Sequence, residues 1–401
     1  MFRRVPPVHS PLSLAALSRG LAAALSERAW RAARAEIDQW VRETFEPRAW
    51  AWTDSGTTAL TLALRLATAE RGSRRIALPA YGCYDLATAC DGAEVEVLLY
   101  DIDPGTLGPD WSSLEWALGE GAVSVVLVHQ YGIPVDLDRA RDLATAHGAT
   151  VIEDAAQGIG GEYNRKPLGR HGDLSILSFG RGKGFSAGGG GLLLAHSARF
   201  IDAASELALP SARGFAAWAK CLVQAAFSAP GRFWIPAALP MLKLGETIYH
   251  RPHPPSGVSR SGTGVLAGGL AGIGPAAVGR QEVVARWRSL LPSDWLIQFQ
   301  DRECIRPGWL RYPVLAPSVQ TAEAFAEGAA WLGVARGYPK SLLDLSGFGS
   351  STVAALAGGA PGARILADRL LTMPTHVHVQ QQDMSTVTEL VRRLPSALRS
   401  G

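Results

Sequence analysis

The sequence predicts an α/β fold with a mostly parallel, buried sheet, and two observations indicate it. From residue 50 onward, short apolar runs rich in β-branched residues alternate with longer segments of helical periodicity, as in strands joined by crossover helices. The chain is also long and apolar, since 47% of its 401 residues are hydrophobic and 19% are charged. Such a chain can bury a large core, which excludes a disordered protein.

Six segments of the first half carry the strand pattern, namely residues 76–79, 95–101, 123–129, 150–154, 174–178 and 192–195. Each is a short apolar run, as expected for strands that are covered on both faces. Segments of helix length with turn residues at their ends, such as 57–69 and 136–147, lie between several of them. This alternation predicts parallel pairing of the strands.

Three regions are predicted along the chain: a helical arm at 1–45, a large domain at 46–256 and a small α+β domain at 257–401. The arm is expected to begin with an amphipathic helix. A signal peptide is not expected there, because Arg19 and Gly20 interrupt the apolar stretch.

The C-terminal region has the pattern of a smaller mixed domain. It carries a strand-like segment at 309–315 and helix-like segments at 321–332 and 384–398. The proline-rich segment 229–255 precedes it and is predicted to be a covering excursion or a linker.

Charge and cysteine content narrow the range of partners and compartments. The formal net charge is +3, which gives no overall electrostatic footprint for nucleic acid or an anionic membrane. The four cysteines are scattered without metal-ligand spacing, so a reducing, cytoplasmic location is expected. The most apolar internal segment, 215–227, is shorter than the roughly 20 residues that cross a bilayer, so no transmembrane segment is predicted.

The first candidate site is the segment 54–60, Asp-Ser-Gly-Thr-Thr-Ala-Leu, which runs directly into an amphipathic helix. Small residues at a helix start leave backbone N–H groups at the positive end of the helix dipole, where a phosphate can bind. Gly56 and Thr57 are therefore candidates for a phosphate site. An ordinary N-cap explains the motif equally well.

A second candidate is the acidic end of an apolar run, Val151-Ile152-Glu153-Asp154. A carboxylate there lies at the C-terminal edge of the sheet, where open α/β folds bind their ligands. The alternative is that the acid caps the following helix.

The third candidate is Lys183, which lies in the glycine-rich segment 177–191. The spacing of a P-loop fails, because Gly184 follows the lysine and Leu177 stands where the first glycine belongs. The chain holds five lysines against 34 arginines, so a lysine in this loop suggests that its amine chemistry is used. The alternative is a solvated surface lysine.

These motifs together resemble the ordered signature of the DegT/StrS-type sugar aminotransferases, which are fold-type I pyridoxal-phosphate enzymes. The shared pattern is SGTxAL at 55–60, a proline-aromatic turn at 79–84, EDAAQ at 153–157 and SFxxxK at 178–183, followed by clustered glycines. It runs from about 52 to 194 and continues thinly at 311–313 and 371–376. The resemblance implies a three-layer, mostly parallel sheet, with 46–256 as the cofactor domain and the small domain closing over it.

The resemblance assigns catalytic roles to two residues. Lys183 matches the lysine that forms a Schiff base with pyridoxal 5'-phosphate and later moves a proton. Asp154 matches the carboxylate that pairs with the pyridine nitrogen and keeps it protonated.

It also assigns cofactor-binding roles. Gln157 matches the side chain that holds the ring oxygen, and Ser178 matches a hydroxyl that completes the phosphate cradle of Gly56 and Thr57. An aromatic residue that stacks on the ring is expected in the segment 78–85. A strict count places Cys83 there, and the adjacent Tyr84 is predicted to stack, with Tyr81 in the core.

Two departures from the family pattern concern the site. Many relatives carry an asparagine in a GxNxR-like segment that reaches the partner subunit's cofactor phosphate, whereas 257–262 has none. Arg260 or Ser259 substitutes for it, or the contact between subunits is absent. The excursion around Trp234 is also longer than the family pattern leads us to expect. The resemblance therefore does not predict the shape of the substrate pocket.

Three histidines have alternative interpretations. His129 follows a strand and either contacts substrate or is structural, and the structural role is favoured. His376 and His378 alternate on a strand-like run, and no metal site is predicted there without a third ligand.

The function implied is an aminotransferase that moves an amino group, from glutamate, to a keto-sugar on a nucleotide carrier, in polysaccharide or secondary-metabolite biosynthesis. A homodimer with active sites at the subunit boundary is implied as well. One alternative is a sugar dehydratase, although relatives with that activity replace the lysine by histidine. Another is a non-catalytic scaffold or regulator that uses the Pro/Trp-rich excursion, which the retention of Asp154, Gln157, Ser178 and Lys183 disfavours.

Overall fold

The computed structural model describes residues 3–69, 71–239, 247–299, 303–348 and 353–393. The strands are β1 (Ala49–Thr53), β2 (Arg75–Pro79), β3 (Glu96–Tyr100), β4 (Ser124–Val128), β5 (Thr150–Asp154), β6 (Glu162–Tyr163), β7 (Lys166–Pro167), β8 (Leu174–Ser178), β9 (Gly191–Ala195), β10 (Tyr312–Leu315), β11 (Ala335–Arg336), β12 (Val353–Ala355) and β13 (Leu370–Met373). The helices are α1 (Leu14–Leu25), α2 (Glu27–Phe45), α3 (Gly56–Thr68), α4 (Asp85–Ala93), α5 (Trp111–Gly119), α6 (Leu137–Ala146), α7 (Ile201–Ser205), α8 (Phe215–Phe227), α9 (Pro230–Ala237), α10 (Arg260–Gly269), α11 (Ile273–Leu290), α12 (Val319–Ala329), α13 (Pro361–Arg369) and α14 (Gln381–Arg393).

An eight-stranded sheet lies at the centre, in the order β1-β9-β8-β5-β4-β2-β3-β12. Neighbours from β8 to β12 run parallel, and β9 is antiparallel to both β8 and β1. Every residue of β4, β5 and β8 is buried, as expected for strands covered on both faces. The predicted α/β fold with a mostly parallel sheet is confirmed.

Each of the six predicted strands is present, with ends that differ by at most one residue from the prediction. The strands β1 and β12 were not predicted. The sequence of β1, Ala-Trp-Ala-Trp-Thr, lacks a β-branched run, and β12 has only three residues. Both pair with predicted strands, β1 with β9 and β12 with β3, so tertiary pairing determines them more than local preference does.

The N-terminal segment forms two helices where one amphipathic helix was predicted. Ser26 separates them: it ends α1 and caps α2, where its side chain accepts a hydrogen bond from the Ala29 N–H. The helix α1 packs against α2, α8 and α10.

The C-terminal region forms a second sheet, in which the order is β10-β13-β11 and all pairs are antiparallel. The same region supplies β12 to the central sheet, parallel to β3. Residues beyond 257 therefore contribute to both sheets, and the boundaries of the three regions stay a prediction. The predicted terminal helix is present as α14, and its last residues, 394–398, lie outside the described residues.

One helical stretch in the described part of the chain, Arg260–Leu290, meets the length and apolarity of a membrane-crossing helix. It consists of α10, a 3-10 turn at Leu270–Gly272 and α11. This criterion uses only length and composition, and the core helix of a protein without membrane spans meets it as well.

Candidate active site

Six of the residues predicted for the site line one cleft at the C-terminal edge of the central sheet. They come from the start of α3, the ends of β5 and β8, and the loop after β8: Gly56, Thr57, Asp154, Gln157, Ser178 and Lys183. Parallel strands bring their carboxyl ends to the same edge, so residues far apart in the sequence meet there.

The start of α3 forms one wall of this cleft. The Ser55 hydroxyl accepts a hydrogen bond from the Thr58 N–H, at 3.1 Å, and the Ser55 carbonyl accepts from the Ala59 N–H. Neither bond uses the N–H groups of Gly56 and Thr57. These two donors stand at the positive end of a 13-residue helix, where an anion binds favourably.

Gly56 lies so close to Ser178 that the glycine is needed. A Cβ built on Gly56 would lie 2.7 Å from the Ser178 Cβ and 3.0 Å from its hydroxyl oxygen. The absence of a side chain therefore lets the helix start and the Ser178 hydroxyl face the same volume. This is the arrangement expected of a phosphate cradle.

Asp154 ends β5 inside the cleft, and its side chain is buried. One carboxylate oxygen accepts a hydrogen bond from the Ala156 N–H at 2.9 Å, and that bond fixes the orientation of the group. Burial raises the pKa of Asp154, while the Ala156 N–H and the Lys183 ammonium act in the opposite direction. A cation placed beside Asp154 would stabilise its charged form further.

Lys183 is half-buried on the glycine-rich loop between β8 and β9. The loop is held by the Ala187 N–H, which donates to the Phe179 carbonyl at 2.9 Å, and by the Ser10 hydroxyl, which donates to the Lys183 carbonyl. Gly182 and Gly188 adopt positive φ values of 84° and 75°. Such values favour glycine, which explains why the loop that presents the lysine is rich in it.

Gln157 is held at both ends of its amide. The side-chain oxygen accepts from the Tyr131 N–H at 3.1 Å, and the side-chain nitrogen donates to the Tyr338 hydroxyl at 3.0 Å. Tyr338 stacks on Tyr131 with an interplanar angle of 18°. Sequence reasoning missed Tyr338, because nothing in the sequence relates it to a residue 181 positions earlier.

Glu153, next to Asp154, is the centre of a buried polar network. It accepts hydrogen bonds from His129 and Ser175 and from the N–H groups of Gly169, His171 and Gly172. Burial alone would raise the pKa of Glu153, but the hydrogen bonds that it accepts, first from His129 and also from the Gly169 N–H, lower it to about 2. His129 is fully buried, as its favoured structural role requires.

The predicted stacking residue does not line the cleft. Tyr84 is buried at the start of α4, and Cys83, where the strict count had placed the stacking position, is the lining residue. Burial and the nearby Asp85 raise the pKa of the Cys83 thiol to about 12, so it is protonated at neutral pH. Tyr81 is fully buried, as expected of a core residue, and stacking by Tyr84 stays a prediction.

The residues at the family's GxNxR-like segment are engaged within the chain. Ser259 caps α10 by accepting from the Gly262 N–H at 3.1 Å. Arg260 forms a salt bridge of 2.6 Å with Glu27 and lies over the Trp30 ring. A contact of either residue with a partner subunit stays a prediction.

A third histidine lies beside the two C-terminal ones. The His9 ring is 4.4 Å from that of His378 and 5.7 Å from that of His376, between centroids. Burial lowers the pKa of His376 to about 3, and its Nε2 donates to the Pro6 carbonyl at 2.7 Å. Among the residues that the structure describes, no group of three His, Cys, Asp or Glu side chains is placed to hold a metal ion.

The donor set fits pyridoxal phosphate, the cofactor implied by the sequence. The cleft combines the first N–H groups of a helix with a hydroxyl, a buried carboxylate and a primary amine. These match a phosphate, a protonated ring nitrogen and an aldehyde, which are three of the polar groups of this cofactor.

The comparisons with known proteins agree with the geometry. Residues 37–226 match the model of the DegT/DnrJ/EryC1/StrS aminotransferase family. A L-glutamine:2-deoxy-scyllo-inosose aminotransferase from Streptoalloteichus tenebrarius is 36% identical over 144 residues, which cover 36% of this chain and 34% of the relative. A UDP-N-acetyl-3-dehydro-alpha-D-glucosamine 3-aminotransferase from Acidithiobacillus ferrooxidans is 32% identical over 164 residues, 41% of this chain and 43% of the relative.

The matches to these relatives thus span a third to two fifths of their length. A solved structure covers more: Spr1654 from Streptococcus pneumoniae, described as a putative sugar aminotransferase in its PLP-form, covers 96% of this chain and 97% of its own. Its TM-score is 0.72 at 17% sequence identity, which is a likeness of fold. The predicted resemblance to the DegT/DnrJ/EryC1/StrS aminotransferase family is therefore confirmed over residues 37–226, and the chain has the fold of a solved structure named as a sugar aminotransferase.

Proposed function

We propose that the protein is a pyridoxal-phosphate-dependent aminotransferase that moves an amino group to a keto-sugar. The observation that carries this proposal is the meeting of Lys183, Asp154 and the start of α3 in one cleft. A phosphate-binding protein would need only the helix start and Ser178. The amine and the buried carboxylate are needed for chemistry on a bound aldehyde.

Different residues bind the phosphate and the ring of the cofactor. The backbone N–H groups of Gly56 and Thr57 and the Ser178 hydroxyl bind the phosphate, and Asp154 holds a proton on the ring nitrogen. When bound, pyridoxal phosphate supplies a ring that withdraws electrons from the carbon that loses its proton.

Lys183 is the proton carrier in this proposal. Its amine lies on a loop beside the cleft, within reach of the same volume as Asp154. With the cofactor bound, an amine there would take a proton from the substrate carbon that bears the amino group and would deliver it to the cofactor carbon that carried the aldehyde. Gln157, fixed by Tyr131 and Tyr338, orients the ring.

The substrates are proposed from the resemblance and from the relatives. The donor is glutamate, and glutamine is a second candidate because the Streptoalloteichus relative is named for it. The acceptor is a keto-sugar carried on a nucleotide, as the name of the Acidithiobacillus relative describes. The product would enter polysaccharide or secondary-metabolite biosynthesis, and the enzyme is proposed to act as a cytoplasmic homodimer.

The test begins with the purified protein and pyridoxal phosphate. A visible absorbance band at roughly 410–430 nm is expected from the covalent adduct. Lys183→Ala should abolish that band, whereas Lys166→Ala, which removes an exposed lysine, should keep it. Adding glutamate or glutamine separately should bleach the band and release the matching keto acid.

Three outcomes would contradict the proposal. A band that persists in Lys183→Ala would remove this lysine from the chemistry. A band that forms but is bleached by neither donor would favour another pyridoxal-phosphate reaction, such as dehydration of a sugar. A protein that never forms the band would favour the scaffold or regulator.

A further inference from the structure

The helices α8 and α9 are here called the helical insert (215–237). One side of α8 packs against the rest of the protein. The Trp218 Nε1 donates to the Leu17 carbonyl at 2.8 Å, and Cys221 is fully buried. A Cβ built on Gly188 would lie 2.6 Å from the Cys221 sulfur. The insert therefore packs directly on the glycine-rich loop that carries Lys183.

The solvent-exposed side of the insert carries several large apolar residues. On α8, Phe215, Leu222 and Val223 are exposed, and their spacing places them on one stripe of the helix. On α9, Trp234 and Ile235 are exposed next to each other. Contiguous exposed apolar side chains of this size are typical of an interaction surface.

The charged residues of the described segment that contains the insert are all basic. The segment 207–239 contains Arg213, Lys220 and Arg232 and no aspartate or glutamate. The whole chain is nearly neutral, so the positive charge is concentrated locally. Within the described ranges, Arg213, Lys220 and Arg232 are exposed and form no salt bridge.

We propose that the helical insert docks the protein onto an anionic lipid bilayer. Helices that lie in the plane of a bilayer present aromatic and aliphatic side chains to the acyl region and lysine or arginine to the headgroups. The 13-residue α8 is too short to cross, since a spanning helix needs about 20 residues. The insert lies on the membrane and does not enter it as a span.

A second copy of the chain fits this face less well than a bilayer does. In a twofold interface the same patch faces itself, so Arg213, Lys220 and Arg232 of one copy would share the contact with the same three residues of the other. The segment 207–239 offers no carboxylate to pair with them, and like charges across an interface weaken association. Anionic headgroups supply the missing negative charge.

Docking would hold the Lys183 loop near the bilayer, because α8 packs on that loop. The proposal stands apart from the proposed aminotransferase, since binding to vesicles requires neither cofactor nor substrate. Loss of one activity in a variant would leave the other measurable.

The test is co-sedimentation of the full chain with vesicles at low and high salt. The protein is expected to sediment with phosphatidylcholine vesicles that contain phosphatidylglycerol, and to stay in solution with phosphatidylcholine alone. Lys220→Gln should weaken binding roughly fivefold, as expected for one basic residue at such a surface. High salt should weaken binding of the unaltered protein in the same direction.

Val223→Asp provides the apolar half of the test, and Val278→Asp is its matched control. The two valines are exposed to 57% and 59%, and Val278 lies on α11 outside the insert. Val223→Asp should weaken vesicle binding tenfold or more, by a rough estimate from the burial of one valine, and Val278→Asp should not. Circular dichroism and sedimentation velocity establish that each variant is folded and give its oligomeric state.

Three results would overturn the proposal. The first is that the unaltered protein stays in the supernatant with anionic vesicles at low salt. The second is that Val223→Asp binds the vesicles as well as Val278→Asp does. The third is that Val223→Asp dissociates an oligomer that Val278→Asp preserves, which would make this face a contact between copies of the chain.

Discussion

The Nε2 of His129 donates a hydrogen bond to the Glu153 carboxylate at 3.0 Å, and neither side chain is exposed to solvent. His129 receives the Val135 N–H on its Nδ1, so the hydrogen on Nε2 points at the carboxylate. Glu153 precedes Asp154 on β5 and points away from the cleft. The pair therefore ties β4, β5 and the 169–172 turn together behind the candidate active site.

Glu153 is expected to make stability depend on acid pH. Its pKa in the folded protein, about 2, lies below the ordinary value of 4.5. The carboxylate therefore stabilises the fold above about pH 4.5 and loses that contribution as the pH falls towards 2. The change amounts to roughly 3 kcal/mol in the free energy of unfolding, measured by urea titration across this pH range.

The control for this prediction is a pair of glutamine variants. Glu153→Gln should lower stability at neutral pH and flatten the dependence between pH 4.5 and 2, because it cannot be charged. Glu120→Gln, which changes an exposed side chain, should retain the full dependence. If Glu153→Gln lost as much stability between pH 4.5 and 2 as the unaltered protein, other groups would govern that loss.

Asp154→Asn is expected to separate binding from turnover. The amide keeps the shape of the side chain and leaves the phosphate cradle intact, so pyridoxal phosphate should still bind. Transamination should fall by roughly 10²–10³-fold, since the charge that stabilises the protonated ring is lost. The check is the rate at which glutamate or glutamine bleaches the cofactor band, and turnover equal to the unaltered protein would contradict the role.

Tyr338→Phe is expected to weaken cofactor binding through Gln157. The substitution removes the hydroxyl that accepts from the Gln157 amide and keeps the stacked ring. Loss of one such hydrogen bond should raise the dissociation constant for pyridoxal phosphate roughly 5- to 10-fold.

The matched variant is Tyr163→Phe, which removes another part-buried hydroxyl, bonded to Asp138. It should affect thermal stability without changing the affinity for pyridoxal phosphate. If Tyr338→Phe and Tyr163→Phe shift stability equally and neither changes the affinity, Tyr338 has only a structural role.

Gly56→Ala is expected to disturb the phosphate cradle. The new Cβ would lie 2.7 Å from the Ser178 Cβ, so the helix start or β8 must shift. Such overpacking costs about 1–3 kcal/mol and moves the N–H donors away from the phosphate. Gly119→Ala, which meets no atom within 4 Å, is the control, and calorimetry with cofactor titration measures both effects.

Much of the fold could be predicted because each central strand carries its own signal. The runs that became β4 and β5 are buried on both faces, and a chain segment of that kind has few alternatives to a central strand. The meeting of Asp154 and Ser178 at one edge follows from the parallel pairing of β5 and β8. Lys183 could be predicted as a site residue from the glycine-rich loop that carries it. Only the structure shows that it lines the same cleft as Asp154.

Other parts could not be predicted, since nothing local specifies them. Tyr338 reaches Gln157 only because the tertiary fold brings the C-terminal region beside the end of β5. The three residues of β12 become a strand only beside β3. Cys83, and not Tyr84, lines the cleft because the backbone turn before α4 decides which side chain faces inward.

The sequence by itself determined six strands of the central sheet and the helix start at Gly56, and it predicted the amine of the site at Lys183. These are encoded in short stretches, through apolar runs, capping residues and glycines that tolerate positive φ. Only the tertiary structure decided the partners of Gln157 and Glu153, and the exposure of the helical insert. Contacts between residues far apart in the chain depend on packing, which no single stretch of sequence contains.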